Sequence, residues 1–284
     1  MFRKLLKYEW QANAKLFGIL SAAALGVALL GGVVLRVALN IGIHSENVMV
    51  TTLVLPGMML LVGFCALAVV GYAAAVEIIN LVRFYKNKFT DEGYLTFTLP
   101  VQAKDLYLSS FVNILVWMLI SLVVVLACYA LGLWIGLGEL VLELTDNYTI
   151  KMLMEALLET ISGLRNEMAT MPGYGLSQVL SVIVALLSPL YIITVMLGCL
   201  TAGSVLAKKH KILAAIGLYY ATSMVTSIVT STLSGVLSLT MIRVENLYVS
   251  ANIVTTVELI LMVGVIVGGY FLSTHFMKNK LNLP

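Results

Sequence analysis

The stretch that decides the fold is residues 106–137, LYLSSFVNILVWMLISLVVVLACYALGLWIGL, which contains no acidic or basic residue. A helix needs about 20 apolar residues to cross the roughly 30 Å hydrocarbon core of a bilayer. Backbone polar groups inside lipid must hydrogen-bond within the protein, so this stretch is predicted to be a helix. Five further stretches have the same apolar character: Leu16–Leu39, Thr52–Ile79, Leu176–Ala207, Ile212–Thr240 and Ile253–Phe276. The prediction is an all-α, polytopic membrane protein with six transmembrane helices.

Composition agrees with that class and excludes others. Hydrophobic residues make up 61% of the 284 positions and charged residues 11%, whereas soluble domains are about half apolar and a quarter charged. The net charge of +3 is too small to indicate a nucleic-acid partner. All three cysteines lie in predicted spans, so we expect neither a disulfide framework nor a cysteine metal site.

The basic residues are distributed unequally between the two sides of the membrane. Thirteen of the seventeen lie in the N-terminal segment, the second-to-third connection, the fourth-to-fifth connection or the C-terminal tail. Cytoplasmic segments are enriched in Lys and Arg, so both termini are predicted to be cytoplasmic. The residues on the opposite side are Arg36, Lys151, Arg165 and Arg243.

Two further helices are predicted, one before the six-span domain of residues 16–284 and one in a loop within it. Within residues 1–15, apolar side chains recur at helical spacing among basic ones, which is typical of a helix lying in the cytoplasmic membrane interface; a plain charged flank is the alternative. The outer loop 138–175 has the same periodicity and predicts an amphipathic extracellular helix, with a solvated acidic loop as the alternative. Its apolar positions are Ile150, Leu153, Met154, Leu157, Leu158, Ile161 and Leu164.

The inner connection, residues 80–105, is predicted to contain a short helix over Asp91–Leu99. Thr90 can cap this helix, acidic residues follow in its first turn, and Pro100 ends it. The segment is unusually apolar for an inner loop, through Tyr94, Leu95, Phe97 and Leu99. Such a patch is either an interaction site or a set of side chains that dip into the lipid headgroups.

The stretch FYKNKFTDEGYLTFTLPV, residues 84–101, resembles the cytoplasmic segment of permease subunits of type-2 ABC exporters, especially those of Firmicutes. The resemblance implies a bacterial cell-membrane protein with a partner ATPase subunit, which binds ATP and Mg, and with a second permease copy or a paralogue. It also implies that the short helix docks on the ATPase. The implied contact residues are Asp91, Glu92, Gly93, Tyr94, Leu95, Thr96, Phe97, Leu99 and Pro100.

One feature departs from that family. Its outer re-entrant helices usually lie between the last two spans, whereas here that connection is short and the long outer loop follows span three.

No catalytic chemistry is predicted for this chain. It has no G-x-x-x-x-G-K-[ST] loop to bind phosphates, and its three histidines are scattered over both sides of the membrane, which indicates no metal site. An exporter subunit that moves a peptide-like or amphipathic substrate is the favoured interpretation. The alternatives are an ATP-independent channel or carrier, and a membrane immunity or assembly protein.

Polar residues inside the last two spans are candidates for a substrate path or a dimer interface. Small hydroxyl residues of span five recur every four positions, a spacing that equally suits close helix packing. Glu258 in span six either lines a path or extends to the outer interface. The candidates are Ser223, Thr226, Ser227, Thr230, Ser234 and Glu258.

Proline and glycine positions give two further predictions. Kinks are expected at Pro56 and Pro189. Close helix contacts are expected at the pairs Gly132/Gly136 and Gly264/Gly268.

Overall fold

The computed structural model describes most of the chain. It covers residues 2–44, 47–90, 93, 96, 98, 101–146, 148–207, 210–240 and 247–279, with backbone alone at 44, 139–146, 148–150, 153–154, 237–238, 240, 247 and 279. Within these ranges the chain is helical and contains no strand, which confirms the predicted all-α class.

Seven long helices follow one another along the described residues. A five-residue π-helical segment, Val50–Val54, leads directly into the second helix. The helices are α1 (Phe2–His44), α2 (Leu55–Phe89), α3 (Ala103–Asp146), α4 (Tyr148–Thr170), α5 (Tyr174–Leu206), α6 (Lys211–Thr240) and α7 (Leu247–Asn279).

Six of these helices, all but α4, are long and apolar enough to cross a membrane, with mean hydropathies between 1.7 and 2.8. Large apolar side chains point outward along them; Leu60, Phe64 and Leu67 of α2 are each about two-thirds exposed. A face of that kind is stable in lipid and unfavourable in water. The protein is therefore a multi-pass membrane protein, as predicted.

The predicted N-terminal helix is present and is continuous with the first span; that it lies in the membrane interface stays a prediction. Residues 2–15 are the first turns of α1, because no proline or glycine interrupts the chain before Gly18. Trp10, one of the apolar side chains of this segment, stacks on Trp117 of α3 with ring centroids 4.6 Å apart. The Asn13 amide donates to the Asn80 side chain at 3.1 Å. This face of the segment therefore packs against protein.

The outer loop is helical almost throughout. α3 continues to Asp146, and α4 occupies Tyr148–Thr170, which confirms the amphipathic helix. Its leucines Leu157, Leu158 and Leu164 are more than half exposed. Asn147 lies outside the described residues.

Two compact units make up the chain. The α1–α3 unit comprises residues 7–80 and 116–159; the α5–α7 unit comprises residues 1–6, 81–115 and 160–284. In the α1–α3 unit the buried rings of Phe17 and Trp117 meet edge to face at 4.8 Å. In the α5–α7 unit, buried Ile193 and Leu197 form part of the inner face of α5.

The Gly132/Gly136 pair is confirmed as a close helix contact, whereas Gly264 and Gly268 make none among the described residues. A Cβ added at Gly136 would lie 2.5 Å from Leu35 Cδ2, and one at Gly32 would lie 2.8 Å from the Gly132 carbonyl oxygen, so α1 and α3 touch through glycine. A Cβ at Gly264 or Gly268 would meet open space among the described residues. The close contact on α7 is one position along, at Gly269, which faces Thr194.

The two prolines lie in different surroundings. Pro56 is the second residue of α2 and directly follows the π-helical segment Val50–Val54, so the N–H that it lacks falls where one helical hydrogen-bond pattern changes to the other. Pro189 lies inside α5 and has no N–H to donate to the Ala185 carbonyl four residues earlier. The Ser188 hydroxyl donates to that carbonyl instead, at 3.1 Å. The hydroxyl thus replaces the bond that proline removes.

Candidate functional site

The inner connection begins where α2 ends. The Thr90 hydroxyl donates to the Lys86 carbonyl at 2.6 Å, so it closes the preceding helix; its predicted role as a cap of the next helix stays a prediction. The Gly93 N–H donates to the Thr90 carbonyl at 2.8 Å.

Within the segment that resembles the ATPase contact, Gly93, Thr96 and Thr98 have helical backbone, in keeping with the predicted helix. The Thr96 hydroxyl donates to the Asn87 carbonyl at 2.9 Å, which ties the segment back to α2. Seven of the nine predicted contact residues lie outside the described residues: Asp91, Glu92, Tyr94, Leu95, Phe97, Leu99 and Pro100.

Lys88 occupies a buried position in the last turn of α2, with 1% of its surface exposed. Its ammonium donates to the Leu106 carbonyl and to the Ser110 hydroxyl, and lies 4.7 Å from the centroid of the Phe84 ring. A buried charge is stable only when it is hydrogen-bonded or paired, and these contacts meet that need. Lys88 therefore joins the end of α2 to the start of α3.

In the sequence, Lys88 follows Arg83 and Lys86 in a short basic run. In the structure these lysines differ in exposure: Lys86 is exposed and Lys88 is buried. The burial of Lys88 could have been predicted from its spacing, because Phe84 and Lys88 are four residues apart and share a helix face with the apolar positions of α2.

A second lysine reaches the same region. The Lys211 ammonium, at the first residue of α6, donates to the Phe89 carbonyl at 3.4 Å. The last carbonyls of a helix have no intrahelical donor and carry partial negative charge, so a cation is favoured there. The end of α2 is thus held by contacts from both α3 and α6.

The second candidate site is a groove of about 500 Å³ lined by side chains of α5, α6 and α7. It brings together five of the six residues predicted for a path or interface: Ser223, Thr226, Ser227, Thr230 and Glu258. Ser234 is outside it, and its hydroxyl donates to the Ser231 carbonyl at 3.1 Å. Tyr191, which the sequence did not single out, lines the groove from α5.

Close packing does not use the whole small-residue face of α6. Thr222, at one end, contacts Cys199 of α5 with the oxygen and sulfur 3.8 Å apart. A Cβ at Gly235, at the other end, would meet open space among the described residues. Between them the hydroxyl residues line the groove, so the face packs at one end and is open along its middle.

A buried hydroxyl cluster, made of Tyr107, Thr194, Thr201 and Ser273, joins α3, α5 and α7. Each of the four residues is at most 1% exposed. The Thr201 hydroxyl donates to Ser273 at 3.4 Å, and the Tyr107 hydroxyl faces those of Thr194 and Ser273. The sequence did not reveal this cluster because its members come from three separate helices.

Within the described part of the chain, no group of three or more His, Cys, Asp or Glu side chains is placed to hold a metal ion. Comparison of the chain with protein-family models, with curated proteins and with solved structures finds no match.

Proposed function

We propose that this chain is the permease subunit of an ABC exporter. It would move a peptide-like or amphipathic substrate out of a bacterial cell, powered by a separate ATPase subunit. The six apolar helices, the resemblance of residues 84–101 and the absence of a phosphate-binding loop from the sequence support this proposal.

The observation that carries the proposal is that the end of α2, from which the inner segment leaves, is held to two other spans. Lys88 connects the end of α2 to α3, and Lys211 connects it to α6. Because packed helices move as bodies, a force on residues 91–99 would pass into α2, α3 and α6 together. That arrangement suits a segment that couples a motor subunit to helix movement.

A transporter of this type requires two permease domains, so the partner would be a second copy or a paralogue, in complex with two ATPase subunits that bind ATP and Mg. The charge distribution supports cytoplasmic termini, which would place residues 80–105 on the side where the ATPase is found.

Purification from the organism that encodes the chain tests the proposal. The tagged protein, extracted in mild detergent, should bring with it an ATP-binding subunit that carries a phosphate-binding loop. Recovery without such a subunit, under conditions in which the chain stays monodisperse, would overturn the exporter assignment. It would favour the immunity, channel or carrier alternatives.

A further inference from the structure

The groove on α6 contains one charged group in a neutral wall. Of the described residues that line it, Glu258 alone carries a charge; the others are apolar or hydroxyl-bearing. None of the described residues donates a hydrogen bond to the Glu258 carboxylate or pairs with it. An ionised side chain within a membrane span is unfavourable unless it has a partner or water, so such a residue points to a bound ligand or ion.

The hydroxyls of the groove present acceptors. The Thr226 hydroxyl donates to the Thr222 and Ser223 carbonyls at 2.9 and 3.1 Å, and the Thr230 hydroxyl donates to those of Thr226 and Ser227 at 2.9 and 3.1 Å. Each hydroxyl has a single hydrogen, which is thereby engaged, while its lone pairs remain. These two hydroxyls therefore favour a ligand that donates hydrogen bonds.

The remaining wall is aliphatic. Val225, Val229, Leu261, Met262 and Val265 line it, and the volume of about 500 Å³ lies within the range of small-molecule sites. An apolar wall with a few polar groups at one place suits a ligand with a hydrocarbon body and one polar end.

We propose that this groove binds a small amphiphile that carries one protonated amine. Its ammonium donates to the Glu258 carboxylate and to the hydroxyl oxygens of Thr226 and Thr230, and its hydrocarbon part lies on the aliphatic wall. The claim that this amphiphile is the substrate of the exporter rests on the proposed function. The claim that the chain alone binds it does not.

The test measures binding of tritiated octylamine to the purified chain in phosphatidylcholine nanodiscs by scintillation proximity. The choline headgroup has no N–H to donate, so it competes poorly. Unlabelled octylamine should displace the label, whereas octanol and octanoate, which have the same chain, should do so at least about tenfold less well. Equal displacement by octanol would overturn the proposal.

Two variants and one control locate the site. Glu258→Gln removes the charge and should weaken octylamine binding about tenfold or more, whereas Glu155→Gln, an exposed glutamate on α4, should leave it unchanged. Ser227→Leu fills the groove and should abolish binding with Glu258 intact. Unchanged binding in both groove variants, measured on monodisperse protein, contradicts the proposal.

The outcomes separate this inference from the exporter assignment. If octylamine binds but no ATPase copurifies, the ligand proposal stands and the exporter assignment is wrong. If an ATPase copurifies but octylamine does not bind, the exporter assignment stands and the ligand proposal is wrong. If Ser227→Leu and Glu258→Gln instead convert a dimer into a monomer by light scattering and leave octylamine binding unchanged, the groove is an interface between two copies and the ligand proposal is wrong.

Discussion

Lys88 of α2 donates a hydrogen bond to the hydroxyl of Ser110 in α3, and the two helices are thereby joined on either side of the inner connection. A surface lysine contributes little to stability, but a buried one with defined acceptors contributes strongly. The relationship matters for function because the segment that resembles an ATPase contact lies between these residues in the chain.

Replacing Lys88 by methionine keeps most of the side-chain volume and removes the ammonium. We expect a loss of about 1–3 kcal/mol, because the hydrogen bonds to Leu106 and Ser110 disappear. Thermal unfolding of the detergent-solubilised protein, followed by the accessibility of its buried cysteines, measures the change. Lys86→Met is the matched control, since Lys86 is exposed. Equal melting temperatures for the two variants would disprove the structural role of Lys88.

Glycine-to-alanine changes should have opposite consequences at two positions. Gly32→Ala places a methyl group 2.8 Å from the Gly132 carbonyl oxygen, so the helices must move apart at a cost of about 1–3 kcal/mol. Gly264→Ala adds the same group in open space and should be neutral or slightly stabilising. Melting temperatures of both variants test this; a destabilised Gly264→Ala protein would mean that its face is covered in the assembled protein.

The Ser188 hydroxyl should matter only while Pro189 is present. Ser188→Ala leaves the Ala185 carbonyl without its donor inside a span and should cost about 1–2 kcal/mol. In a Pro189→Ala background the new N–H can bond that carbonyl, so the same serine change should cost little. A double-mutant cycle of unfolding free energies checks this. Additive effects would show that the serine acts through some other contact.

The inner segment should release the ATPase when its apolar side chains are changed. Leu95→Asp and Tyr94→Ala should each lower recovery of the ATP-binding subunit at least about tenfold, because charge or a lost aromatic ring disrupts an apolar docking surface. Leu157→Asp, on exposed α4, is the control and should retain it. Complexes that survive both segment changes would exclude this segment as the contact.

Single cysteines test the orientation. In a chain whose Cys65, Cys128 and Cys199 are replaced by alanine, Lys151→Cys on α4 should react with a membrane-impermeant maleimide on intact cells. Lys86→Cys should react only after permeabilisation. Both lysines are exposed, so access depends on the side of the membrane. The reverse pattern would place the termini outside.

Much of the candidate groove was predictable because its residues share one helix. Ser223, Thr226, Ser227 and Thr230 fall on one face of α6 by spacing alone. The groove also contains Glu258 and Tyr191. Predicting this would have required knowing which faces of α5 and α7 meet α6. Periodicity does not indicate those faces in helices that are apolar all round.

The sequence by itself determined the six spans and the amphipathic α4, since these follow from hydropathy and period along a single segment; the orientation stays a prediction from charge. Only the tertiary structure decided which glycines touch, why Lys88 is buried and where Glu258 faces. In lipid, helix contacts depend on local shape and hydrogen bonding rather than on apolarity, because the lipid is as apolar as the helix faces themselves. Gly269 and Gly268 are adjacent and chemically identical, yet only the first faces Thr194.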